Sequence, residues 1–296
     1  MTPRFTVIVP LYNKAGTIKR TLESIQRQTY RAEHIIVVDD NSTDGSAEIV
    51  KSLELPTVQL VHRKAAGPGG YAARNLGVEN ATTDWVCFLD ADDVWLDHHL
   101  ESAAEIIESV SSINAIFFGR RILAEGNLQR DINVSCARVY RFEELVEMYA
   151  ERNLFHIDTL LIRRSAFLQM RGFRTDMGWR RGGDSEMFLR LIRDVGPVYV
   201  SGCITSVYDT RFSSIVSNDE NVVSEHPVHQ IVSTALRVQP DPETTVSIAQ
   251  ESLLMRCAMG WFDKGCGAVC ISDPVGLCSR TKARDFRAGF LSCWVR

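Results

Sequence analysis

Doubly wound α/β is the fold class predicted by the N-terminal part of this chain, on three observations. Its short strands are apolar from end to end, amphipathic or small-residue helices alternate with them, and polar clusters sit where the strands stop. A strand covered on both faces needs an unbroken apolar run, and helices between such strands make their neighbours parallel.

Phe5-Thr-Val-Ile-Val-Pro10 is the first strand, stopped by a proline that cannot donate to a ladder, with Leu11 to Lys14 as the following loop. Ile18, Leu22 and Ile25 form the apolar stripe of a helix. Ile35 to Val38 is a second strand, and Asp39-Asp-Asn-Ser-Thr-Asp-Gly-Ser46 is turn and helix-start chemistry before Ile49, Val50 and Leu53. Val58 to Val61 is a third strand, Gly67-Pro-Gly-Gly70 a flexible loop, and Tyr71 to Ala81 a small-residue helix. Trp85 to Leu89 is a fourth, buried strand that runs straight into Asp90-Ala91-Asp92-Asp93.

Beyond these, the pattern predicts a helix over 97–110, a strand over 115–119, a helix over 143–152 and a strand over 159–162. Gly172-Phe173 reads as a turn, Asp184 begins a helix with an acidic first turn, and Val198 to Val200 closes the sheet. Residues 120–140 carry no clean period. The boundary drawn from this is a catalytic-type domain over 1–218 and a C-terminal helical extension over 219–296.

In open α/β sheets, ligands bind outside the carboxyl ends of the strands. Pro10-Leu11-Tyr12, Asp39-Asp40 and Asp90-Ala91-Asp92 each fall at such an end, so they converge on one crevice. Carboxylates gathered there repel one another unless a positive charge intervenes. A hard divalent cation carrying a phosphate-bearing ligand meets that need, since Mg²⁺-like ions take one or two carboxylates plus substrate phosphates. A chance acidic loop after a strand is the competing reading.

Composition narrows the field. Formal net charge is −4, which argues against nucleic acid as a main partner and against a basic membrane-binding face. No apolar run reaches membrane-spanning length, and Met1 to Arg4 leads directly into a strand, so no signal peptide is expected. Eight scattered cysteines suit free thiols in a reducing, cytoplasmic compartment. Cys257, Cys266, Cys270 and Cys278 lack zinc spacing.

Five segments carry a resemblance: Val7 to Asn13, Val37 to Gly45, Ala73-Arg-Asn-Leu-Gly77, Phe88 to Asp93, and Gly183-Asp-Ser-Glu-Met-Phe-Leu-Arg-Leu191. In this order they resemble family 2 glycosyltransferases of the GT-A fold, over about the first three-quarters of the chain. The resemblance implies a sugar transferred from a nucleotide donor, most often UDP-linked, to a hydroxyl acceptor such as a saccharide, as in polysaccharide biosynthesis. It places Pro10, Leu11, Tyr12 and Asp40 at the nucleobase. Tyr12 offers an aromatic face and a carboxylate can accept the imide N–H of uracil. Asp92 would ligate Mn²⁺ or Mg²⁺, Asp90 would contact the ribose or the metal, and Ala91 lies between them. Arg74 and Arg211 would meet phosphate or base; Arg211 stands where the family commonly has histidine. Asp93 is expected to cap the next segment, and Asn75 to support the acidic loop.

By the same resemblance Asp184 is the general base that takes the acceptor proton, which with a single base implies inversion. The family usually has an acid just before it; here that position is Gly183, with Glu186 two residues beyond Asp184. A helix N-terminus lowers the pKa of Asp184, and burial near Trp179 and Met187 raises it. Asp184 as a plain cap is the alternative. Trp179 is the expected acceptor-side stacking residue. The apolar residues of the C-terminal extension fit packing on the catalytic domain, a homo-oligomer contact or peripheral membrane attachment. Two other functions stay open: a nucleotidyltransferase, against which stands the lack of a glycine-rich basic loop after the first strand, and a nucleotide-sugar-binding protein without transfer activity, for which Gly183 speaks.

Overall fold

β1 (Phe5–Leu11) is buried on both faces, with Ile8 on one side and Phe5, Val7, Val9 and Leu11 on the other. The computed structural model in which this is seen describes residues 2–212, apart from 111, 125–128, 143, 146–147, 149–153, 177 and 179–181. The helix expected over 143–152 falls largely outside the described residues, and Trp179 and the extension from 219 onward lie wholly outside them.

Parallel neighbours flank β1: β2 (His34–Asp39) on one side, followed outward by β3 (Val58–His62), and β4 (Trp85–Phe88) on the other. Helix α1 (Ile18–Gln26) lays Ile18, Leu22 and Ile25 on the Val7 face, next to α2 (Ser46–Ser52). Helix α3 (Tyr71–Asn80) covers the Ile8 face. Its small residues explain the close approach: Ala73 is fully buried, and any side chain at Gly77 would collide with Ile8. That approach sets Arg74 at the carboxyl edge of the sheet.

β1 runs one residue further than its proline suggests. Pro10 pairs with Val38 and the strand ends at Leu11.

After β4 come β5 (Val94–Trp95), α4 (His99–Ser109) and β6 (Ala115–Leu123). The irregular stretch holds two further strands, β7 (Gln129–Ile132) and β8 (Arg138–Tyr140). Their burial does not alternate, which is why period alone missed them. A 3-10 turn (Ile157–Thr159) then leads into β9 (Leu160–Arg163) and the short α5 (Arg164–Gln169). Helix α6 (Gly183–Asp194) and the long β10 (Val198–Asp209) complete the described fold.

The sheet order is β3-β2-β1-β4-β9-β6-β10-β5, with β7 beside β6 and β8 beside β10. The expectation of a parallel sheet holds for β3, β2, β1 and β4, and for β6 with β10. It fails at β5, β7 and β8, and at β9, which runs antiparallel between β4 and β6. For β9 the reason is where it begins. The Ile157–Thr159 turn is tied to the edge where β4 ends, because the Asp90 N–H donates to Asp158 Oδ1 at 2.9 Å. A strand starting at the finish line of its neighbours must run the other way. β10 also outlasts its expected span: a register shift between Val200 and Ser206 carries it past Gly202 to Asp209.

Candidate active site

The acids at the carboxyl edge are each held by a specific neighbour. Asp39 closes its own turn, accepting from the Ser42 N–H at 3.1 Å, and meets His62 Nδ1 at 3.0 Å. Asp40, buried, is paired with Arg63 and accepts from the Gly67 N–H at 3.0 Å. Asn13 adopts a left-handed conformation (φ 51°) and its Oδ1 accepts from the Thr43 N–H at 2.8 Å, stitching the two loops together. That leaves Tyr12 at the mouth, 52% exposed with its ring free for stacking. Leu11 and Ala91 are buried as whole residues, and their C=O groups accept from the Asp40 N–H at 2.7 Å and the Thr21 hydroxyl at 3.0 Å.

At the end of β4, Asp90 receives Arg74 Nη2 at 2.5 Å and Asp92 receives Lys14 Nζ at 2.5 Å. Arg74 is the hub. Its guanidinium is nearly enclosed, donates to the Gly69 C=O at 3.0 Å, and places Nη1 3.8 Å from Asp184 Oδ1. Phe173 and Tyr71 lie beneath it, at 5.6 and 6.0 Å from ring centre to guanidinium carbon. A cation so enclosed is anchored to Asp90, with Asp184 beside it.

Asp184 sits in the first turn of α6 and makes no capping hydrogen bond; Gly182, left-handed at φ 82°, occupies the cap position. The plain-cap alternative is therefore not what the fold does with it. Its Oδ1 is shut off from solvent without a hydrogen-bond partner, while the side chain as a whole keeps 38% of its surface exposed. Burial raises its carboxyl above the ordinary range, Arg74 opposes this, and Asp90 adds to it. Glu186 is not a second site acid, because it is buried against Arg190 Nε at 2.5 Å.

Gly183 has a packing cause. A Cβ there would lie 2.5 Å from Tyr71 Cζ, and the Gly183 N–H donates to the Tyr71 hydroxyl at 3.0 Å. The tyrosine ring fills the place where a side chain would be. Burial raises the Tyr71 phenol, and Asp184 adds to the effect, so it stays a neutral hydrogen-bonding group.

Asp93 departs from its expected capping role. It is buried, its Oδ1 accepts from the Asp209 N–H at 2.7 Å, and burial followed by the nearby Asp158 carboxylate pushes its own carboxyl well up. Burial also works against ionisation of Asp158, but His156 (Nδ1 to Oδ2 3.1 Å), Asp93 and the Asp90 N–H outweigh it and bring that carboxyl down to about 2. Together these contacts pin the ends of β4 and β10 to the turn before β9. Asn75 likewise serves another loop than the one expected: its side chain exchanges two hydrogen bonds with the Phe173 backbone, at 2.8 and 2.9 Å. Arg211 grips Asp209 with both arms of its fork, at 2.7 and 2.8 Å, and Arg20 reaches the same carboxylate at 3.0 Å.

For a hard cation the donor set fits. Asp90, Asp93 and Asp158 bring ligand oxygens within 4.8 Å of one another, and Asp93 Oδ2 is buried without a hydrogen-bond partner. Asp90 and Asp92 are the members of the acidic turn that retain some exposure. Lys14, Arg63, Tyr71, His156 and Asp158 were not singled out as site residues from sequence. Nothing in period or spacing marks them, since each is brought in by tertiary packing.

A mixed sheet with acids at the carboxyl edge of its parallel strands and a half-buried carboxylate on a facing helix matches the GT-A architecture. The solved structures agree: the chain superimposes on S. aureus TarS residues 1–349 in complex with UDP-GlcNAc with a TM-score of 0.71, at 18% identity over 88% of this chain and 73% of that one. It matches the mannosyltransferase PcManGT from Pyrobaculum calidifontis, in complex with GDP-Man and Mn²⁺, with a TM-score of 0.57 at 19% identity, over 100% of this chain and 81% of that one. The family model described as glycosyl transferase family 2 matches residues 6–171, and the chain belongs to that family. Among curated relatives, the amylovoran biosynthesis glycosyltransferase AmsB of Erwinia amylovora is 40% identical over 111 residues, 35% of this chain and 36% of that protein. The chain thus spans about a third or less of the length of the curated relatives it matches first. No helix among the described residues is long and apolar enough to cross a membrane.

Proposed function

We propose that the protein is an inverting glycosyltransferase that moves a sugar from a nucleotide donor, UDP-linked by preference, to a hydroxyl of an acceptor. The observation that carries this is the Arg74 bridge, which ties Asp90 on the donor side to Asp184 on the facing helix through one buried guanidinium. Tyr12 and the Asp40 corner would receive the nucleobase; Asp90 and Asp92 would hold a divalent cation, Mn²⁺ or Mg²⁺, and Arg211 would meet the diphosphate. When bound, that cation neutralises charge on the departing nucleotide. Asp184 takes the proton of the acceptor hydroxyl as it attacks the anomeric carbon from the face opposite the leaving group, and its raised pKa makes it a stronger base than an exposed aspartate. UDP-GlcNAc in TarS and Mn²⁺ in PcManGT support the donor and metal assignments by analogy of fold.

A binding protein without transfer activity drew its support from Gly183, and the Tyr71 ring accounts for that glycine without loss of the base. Titration calorimetry of UDP with Mn²⁺ tests the site. Binding that depends on Mn²⁺ in the wild type and weakens in Asp92→Ala is the expected result. Metal-independent binding of equal strength in both proteins overturns the assignment of Asp92.

A further inference from the structure

Lys14 is anchored from its backbone. Its N–H donates to Ser46 Oγ at 2.8 Å, and its C=O accepts from the Thr17 and Ile18 N–H groups at 3.0 Å. The side chain then reaches across to the acidic turn, where Nζ donates to Asp92 Oδ2 at 2.5 Å and to the Phe212 C=O at 2.9 Å. Both side chains of the pair are mostly covered, 17% and 14% exposed. Arg20 and Arg211 are committed to Asp209, so among the described residues Lys14 is the cation paired with the Asp92 carboxylate.

An ammonium this close occupies the place at Asp92 Oδ2 that a metal ion would take. Two cations on one carboxylate oxygen repel each other strongly in a partly desolvated site.

We propose that Lys14 is the resident counter-ion of Asp92 and that a divalent cation binds by exchanging with it. The inference rests on Asp92 being a metal ligand and adds a competitor built into the chain. Lys14 holds the turn in place while no metal is present, and each binding event must first break its contacts to Asp92 and to the Phe212 carbonyl. Metal affinity is thereby set below what the carboxylates alone would give.

Two measurements on the full chain with Mn²⁺ alone test this. In calorimetry, Lys14→Met should bind Mn²⁺ about 3- to 30-fold more tightly than wild type, the weight of a partly covered ion pair no longer broken. Equal or weaker binding by the variant overturns the exchange while leaving the metal site standing. Absence of Mn²⁺ binding to both proteins removes the metal reading and this inference together. In the wild type, amine acylation read by mass spectrometry should rise severalfold at Lys14 when Mn²⁺ is added, with Lys19 and Lys51 as unchanged references. Unaltered labelling of Lys14 under saturating Mn²⁺ overturns the proposal even if the variant fails to fold.

Discussion

The acids at the ends of the parallel strands and the acid at the start of α6 are treated in opposite ways. Asp40, Asp90 and Asp92 each have a cation in contact, from Arg63, Arg74 and Lys14. Asp184 has an oxygen with no hydrogen-bond partner and sees Arg74 only at 3.8 Å. The first group is fixed in ion pairs, whereas Asp184 is left with one oxygen unpartnered and its carboxyl raised by burial. On the proposed mechanism, the paired acids serve binding and the unpaired one proton transfer.

The largest effect should come from removing the uncompensated acid. Asp184→Asn is expected to lower turnover by roughly 10²–10⁴-fold, the usual weight of a general base, with UDP binding by calorimetry retained. In the wild type, turnover should climb with pH through a value above the ordinary aspartate pKa of about 3.9, since a raised carboxyl works as a base only once ionised. That limb should vanish in the variant. The sign for stability is the reverse: a carboxylate harder to ionise in the fold than in the unfolded chain costs stability above its unfolded pKa. Asp184→Asn should thus unfold at a temperature no lower than wild type at pH 7, with any difference lost in acid.

Next is the bridge. Arg74→Met strands two acids beside one another and should cost about 3 kcal/mol in denaturant titration, the range for breaking a buried pair. Any residual activity should show its acidic limb displaced further upward, because the cation opposing the rise at Asp184 is gone. A limb that stays in place would mean that Arg74 does not act on the base. Smaller still is the packing contact. Gly183→Ala should cost about 1–3 kcal/mol through overpacking on Tyr71. Tyr71→Phe should cost only about 1 kcal/mol, by leaving the Gly183 N–H without its acceptor.

The parallel half was legible because its logic is local. Continuous apolar strands, the helix stripe of Ile18, Leu22 and Ile25, and acids at strand ends are all written within short windows. Asp184 was legible as a helix-start acid; the burial that raises its carboxyl against the pull of Arg74 came only with the tertiary packing. The other half depends on partners far apart in the chain. β7 and β8 have no alternation to betray them, and β9 reads as an ordinary apolar strand whose direction is set by Asp158 and Asp90. Lys14 and Asp92 are 78 residues apart, and no spacing rule joins them. Asp93 misled for the same reason: a turn aspartate looks like a cap until its neighbours Asp158 and Asp209 are known.

The reversal of β9 has one more result. β6 finishes and β9 begins toward the same rim, and between them the chain adds β7 beside β6 and β8 beside β10. Ile132, Val134 and Tyr140 of that stretch are buried in one core with Phe88 of β4 and Leu160 of β9, so trimming it would open a cavity under the strands that carry the acids.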